Sequence, residues 1–145
     1  MKQFKKIAIV GVGLIGGSVG LAAKRKGVAG KVIGVFRRKS TLMKVDIGTL
    51  DMSSGVKDAD LIVLAAPVQK IPGLAREVVR HAKSGAIITD VGSTKVWIVK
   101  AIEDIVRSRP SICFVGAHPM AGSEQQGVEH AKYDLLEGAP CIITK

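Results

Sequence analysis

Cysteine, histidine and aromatic residues are all scarce in this chain. Of its 145 residues, two are Cys and three are His, and Phe, Trp and Tyr together make up 3%. Cys113 and Cys141 both fall inside apolar, strand-like runs. Two thiols so placed argue against a disulfide framework or a metal site, and they are expected to be buried, reduced side chains of a cytoplasmic protein. The shortage of aromatics leaves little for base stacking. The net charge of +10 is spread over the whole chain, so it is not read as a nucleic-acid surface. An acidic complement outside this chain accounts for it equally well. No apolar run approaches the ~20 residues needed to cross a bilayer, so no membrane partner is expected. The opening "MKQFKKIAIVGVG" has the basic-then-apolar order of a signal peptide. Its regular glycines continue into a motif, and it is read as mature structure. Internal repeats and low-complexity segments are absent.

Apolar residues at 47% and charged residues at 23% describe an ordinary globular chain, long enough for one domain with a core. Short apolar runs alternate with amphipathic stretches. Strands are predicted at 6–13, 31–36, 59–67, 85–92, 111–118 and 140–145. Helices are predicted at 14–27, 70–83 and 93–109, the last capped by Ser93 or Thr94. Continuous apolar strands separated by helices imply an α/β fold: a Rossmann-type open, mainly parallel sheet with helices on both faces. The stretch 40–58 is predicted to hold at most one short helix. No closing helix follows the last strand, so residues 1–145 are expected to be a dinucleotide-binding domain cut from something longer.

"GVGLIGG" sets Gly11, Gly13 and Gly16 in G-x-G-x-x-G spacing, after a strand and at the opening of a helix. That context makes the motif a pyrophosphate cradle. One glycine permits the tight turn, one lets backbone amides reach the anion, and one lets helix and strand pack closely. Leu14 and Ile15 lie within the same turn. An NAD site wants an acid about 20 residues further on to bind the ribose hydroxyls. That acid is missing. Phe36 stands in its place, followed by Arg37, Arg38, Lys39 and Ser40. Guanidinium forks and a hydroxyl suit a 2′-phosphate, so NADP is favoured over NAD as cofactor.

In an open parallel sheet, ligands bind beyond the carboxyl ends of the strands. Three segments end there: Pro67-Val68-Gln69, "DVGSTK" (90–95) and "GAHPMAGSE" (116–124). Ser93, Lys95 and His118 are therefore expected to share one mouth with the nicotinamide, and Pro67 and Val68 to border the cofactor. A histidine accepts a hydroxyl proton near neutral pH, and a serine can orient it or the substrate. Gly116, Ala117 and Gly122 are expected to leave room around His118. His81 and His130 lie in helical stretches and are expected at the surface.

Taken together, "GVGLIGGS", "DVGSTK" and "GAHPMAGSEQQGVEHA" resemble the nucleotide-binding domain of prephenate/arogenate dehydrogenases, the tyrosine-biosynthesis enzymes. The resemblance covers essentially the whole chain except 40–58. It implies that His118 binds the substrate's ring hydroxyl and takes its proton, with Ser93 hydrogen-bonding nearby. It implies that Ser123 and Glu124 face the substrate's other end. It also implies a second, helical domain that binds the substrate carboxylate and makes a homodimer. Two other readings stay open: a dehydrogenase of the β-hydroxyacid type, whose catalytic residue is usually a lysine in its second domain, and a stand-alone redox-sensing module without chemistry.

Overall fold

The computed structural model of the chain describes residues 4–36 and 46–144. Seven strands form one sheet: β1 (Phe4–Val10), β2 (Ala29–Val35), β3 (Ile47–Thr49), β4 (Leu61–Leu64), β5 (Ile87–Asp90), β6 (Cys113–Pro119) and β7 (Cys141–Thr144). Their order is β3-β2-β1-β4-β5-β6-β7. All neighbours run parallel except β6 and β7, which are antiparallel. The helices are α1 (Leu14–Arg25), α2 (Met52–Val56), α3 (Ile71–His81) and α4 (Lys95–Val106).

The period of two along β1 explains the layering. Ala8 and Val10 point to one face, where they meet Met52, Val56, Ile71, Val78, Ile98 and Ile102 from α2, α3 and α4. Ile7 and Ile9 point to the other, where they meet Ala23 of α1 and Val128 and Ala131 of a turn further along the chain. Strands buried on both faces must be apolar throughout, which is why the runs read as continuous. Ile62 and Ile88 are fully buried, each contributing roughly 1.5–3 kcal/mol of apolar transfer.

The helices follow from local pattern. In α3, Ile71, Ala75, Val78 and Val79 are buried on one stripe. Pro72 sits in its first turn, where a missing N–H costs nothing. Helix α1 stops at Lys26, and Gly27 takes φ +64°, the left-handed end expected of a glycine at that place.

Three expectations are corrected. The stretch 40–58 holds a strand as well as a helix within its described part, because Ile47–Thr49 adds to the outer edge of β2. Thr94 stands at the N-cap of α4, but neither it nor Ser93 caps with its side chain. Cys113 and Cys141 are free yet exposed, not buried. Cys113 opens β6, and Cys141 opens β7, the last strand of the sheet among the described residues, whose Ile142 and Ile143 are also exposed. Among the described residues, no helix is long and apolar enough to cross a membrane.

Candidate active site

Strands β1, β4, β5 and β6 run parallel, so their carboxyl ends lie along one edge in that order. The glycine turn follows β1, Pro67 and Val68 follow β4, Ser93 follows β5, and His118 stands near the end of β6. The switch point lies at β1, where the chain goes first to β2 on one side and then to β4 on the other. That is the crevice such sheets use for ligands.

The three glycines do three different things. Gly11 has φ +96°, and a Cβ there would collide with the carbonyl of Ala65. At Gly16 a Cβ would strike the Gly11 carbonyl and come within 2.9 Å of the Ala65 side chain. These two let α1 and the turn lie against β1 and the chain after β4. A Cβ at Gly13 would meet nothing within 4 Å. The space over Gly13 is open, as a pyrophosphate cradle requires. The first α-helical bond of this turn runs from Gly17 N–H to Gly13 carbonyl at 2.8 Å. The amides of Leu14, Ile15 and Gly16 therefore have no acceptor within the helix. No acidic residue stands in the first turn of α1, and Lys24 and Arg25 stand in its last. The positive end of the helix thus faces the cradle without a competing carboxylate. These residues fit a dinucleotide phosphate.

Phe36 follows β2, and its amide donates to the Thr49 carbonyl at 2.9 Å. Its ring is buried with Ile9, Val12 and Val32. The place of the ribose-binding acid is thus filled by a core residue. Arg37, Arg38 and Ser40 lie outside the described residues. Pro67 precedes a 3-10 turn, Val68–Lys70, that leads straight into α3.

At the other end of the edge, His118 is half-buried and Ser93 is exposed. His118 pairs with Ile142 across the antiparallel β6–β7 ladder. A Cβ on Gly116 would come within 3.0 Å of Val99 of α4. Strand alternation therefore puts His118, two residues on, on the α4 side of the sheet. The expected roominess is only partly present. Gly116 is packed against Val99 and Thr144 and Ala117 is buried, whereas Gly122 does face open space. Ser123 and Glu124 are exposed in the loop after β6, and the Ser123 hydroxyl accepts from the Gln125 amide at 3.1 Å. The structure draws neither of them to His118 by a hydrogen bond. His81 is exposed, as expected, while His130 is half-buried.

Asp90 went unremarked in the sequence, yet it is completely buried. Its carboxylate binds Lys95 Nζ at 2.5 Å and accepts from the amides of Gly92 at 2.9 Å and Ala117 at 3.3 Å. Lys95 Nζ also donates to the Ala117 carbonyl at 2.8 Å. An aspartate closing an otherwise apolar strand, five residues before a lysine, was the available signal.

Residues 19–145 match the family model described as "Prephenate dehydrogenase, nucleotide-binding domain". A prephenate dehydrogenase of Bacillus subtilis is 37% identical over 99% of this chain and 40% of its own length. Two solved structures superpose with a TM-score of 0.86. One is an A. aeolicus prephenate dehydrogenase in complex with hydroxyphenyl propionate and NAD+, 32% identical over 97% of this chain and 50% of that one. The other is a Synechocystis arogenate dehydrogenase, 34% identical over 96% of this chain and 49% of that one. The chain thus spans half or less of the length of these relatives. Its fold, its glycine cradle and this match together make it a member of the prephenate dehydrogenase nucleotide-binding domain family.

Proposed function

We propose that this chain is the cofactor-binding part of a dehydrogenase that oxidatively decarboxylates prephenate or arogenate. The observation that carries the reading is the common edge: an open cradle over Gly13 and a half-buried His118 end two parallel strands of one sheet. Relatives named for prephenate and arogenate dehydrogenases support the substrate class.

Gly11, Gly13, Leu14, Ile15 and Gly16 would hold the pyrophosphate through backbone amides, with Pro67 and Val68 bordering it. NADP is favoured over NAD because Phe36 brings no carboxylate against a 2′-phosphate and Arg37, Arg38 and Ser40 supply donors for it. When bound, the oxidised nicotinamide would accept hydride from the ring carbon that bears the hydroxyl. His118 takes the hydroxyl proton as that hydride departs, so the carbon becomes a carbonyl. The bond to the ring carboxylate then breaks, carbon dioxide leaves, and its electron pair closes the aromatic ring, giving a phenol once the oxygen regains a proton. Ser93 orients the hydroxyl, and Ser123 and Glu124 face the far end of the substrate. A second domain of the kind these relatives have room for would complete the cleft and form a homodimer.

In the intact protein, His118→Asn is expected to cut kcat by ~10²-fold or more and to leave cofactor Kd nearly unchanged. Unchanged turnover in His118→Asn would remove the base role, whereas cofactor binding with no turnover in the intact parent protein would favour a binding module without chemistry. Replacing Arg37 and Arg38 by alanine should weaken NADP binding far more than NAD binding. Equal losses for the two cofactors would sink the phosphate reading.

A further inference from the structure

Asp90 and Lys95 form the most buried ion pair among the described residues, with side-chain exposures of 0% and 11%. Each partner has its hydrogen-bonding capacity spent inside the protein. The three ammonium donors of Lys95 face three oxygens: both of Asp90's and the Ala117 carbonyl. The carboxylate also accepts the Gly92 and Ala117 amides. Lys95 therefore has no donor left for a substrate and is no general acid or base. Gly92 is locked as well, since a Cβ there would crowd Ile98 and stand 3.0 Å from the Asp90 carboxylate.

The backbone held by this pair is what matters. Gly92 directly precedes Ser93, and Ala117 directly precedes His118. The two residues proposed to meet the ring hydroxyl come from different strands, 25 positions apart in sequence. The Asp90 carboxylate binds both neighbouring backbones at once, and Lys95 ties it again to the second through the Ala117 carbonyl. Apolar side chains of similar volume usually stabilise a core as well as a buried ion pair does, so stability is a poor reason to keep one here. Directional bonds to two backbones are something apolar packing cannot supply.

We infer that the Asp90–Lys95 pair is a positioning device that holds the Ser93 turn and the His118 end of β6 at a fixed separation. It acts through Ser93 and His118 and rests on the proton-transfer reading given above. The loss on removing it belongs in kcat, not in cofactor binding, and it disappears once His118 is already gone.

The test uses Lys95→Met and the charge-neutral pair Asp90→Asn/Lys95→Gln in the intact protein, assayed at a temperature where circular dichroism shows each variant folded. The paired variant keeps polar groups at both positions should the single one fail to fold. The expected kcat loss is 10-fold or more, with cofactor Kd within about threefold, and no further loss when either change is added to His118→Asn. A kcat within twofold of the parent, or losses that multiply with His118→Asn, would overturn the positioning role. Failure of the base reading shows separately, as full turnover in His118→Asn alone. A second readout needs no activity. In the ligand-free protein, the His118 ring signals in the NMR spectrum should shift and broaden in the paired variant, with His81 and His130 as unmoved references. An unaltered His118 signal would also overturn it.

Discussion

Two turns at the carboxyl edge of the sheet meet the same demand by opposite means. The turn after β1 brings backbone close to a ligand by having no side chains: Gly11 and Gly16 fit against Ala65 and β1, and Gly13 leaves open space. The turn after β5 is built around two charged side chains, Asp90 and Lys95, buried against Ala117 of the next strand. The first depends on what is absent at three spaced positions. The second depends on a partner far along the chain. They should therefore fail differently, the glycine turn by crowding and the charged turn by stranding a charge.

The largest expected effect is on the charged turn. Lys95→Met leaves the Asp90 carboxylate buried without its cation and should cost ~3–5 kcal/mol of stability, read from urea denaturation. The paired Asp90→Asn/Lys95→Gln change should cost clearly less. A pair variant as unstable as Lys95→Met would mean that charge compensation is not what matters there.

Next come the two packed glycines. Gly11→Ala forces a side chain to φ +96°, and Gly16→Ala overpacks the turn; each should cost ~1–3 kcal/mol. Gly13→Ala sharpens the contrast within the same turn. It should cost ~1 kcal/mol or less, because nothing lies within 4 Å of the added methyl. It should nevertheless weaken cofactor binding about tenfold or more, by keeping the phosphate from the amides. Tight cofactor binding in Gly13→Ala would move the cradle elsewhere.

The smallest effect concerns the opposite end of the sheet. Asp60 binds Lys83 Nζ at 2.5 Å and accepts from the amides of Lys5 and Lys6 at 2.6 and 3.0 Å. The Lys83 bond, then the Lys6 amide, hold its carboxyl below the ordinary aspartate value. A lowered folded-state pKa stabilises the fold above the unfolded value of about 3.9 and loses that stabilisation as pH falls through the folded value. Asp60→Asn should flatten the acid limb of stability between neutral pH and strong acid. An acid limb as steep as the parent's would assign the loss to other carboxylates, of which Asp46, held down by Lys24, is one.

How much was legible in the sequence follows the range of the forces involved. The β1 strand, the glycine turn and α1 were readable because strand burial, turn and helix start are settled within about 20 neighbouring residues. The short β3 was not, since three residues become a strand only by joining an existing edge. Cys113 is exposed where it opens β6, and Cys141 for a reason related to that of β3. Apolar runs indicate burial only where another layer covers them, and β7 lies at an edge. At the site, Ser93 and His118 could be placed along the carboxyl edge because one follows a strand and the other stands near a strand's end. The Asp90 network could not be found that way, because its deciding contacts to Ala117 reach 22 and 27 positions along the chain.

The sequence by itself determined the longer parallel strands, the glycine turn and the start of α1, because glycine spacing and apolar periodicity act on the chain locally. Only the tertiary structure decided that Gly116 and Ala117 are packed, that Phe36 is turned into the core, and that one buried ion pair joins the turn before Ser93 to the strand carrying His118. Those outcomes depend on which surfaces meet when the layers close: Lys95 and the Gly92 amide reach Asp90 from within five positions, but the Ala117 amide reaches it only when β6 packs beside β5.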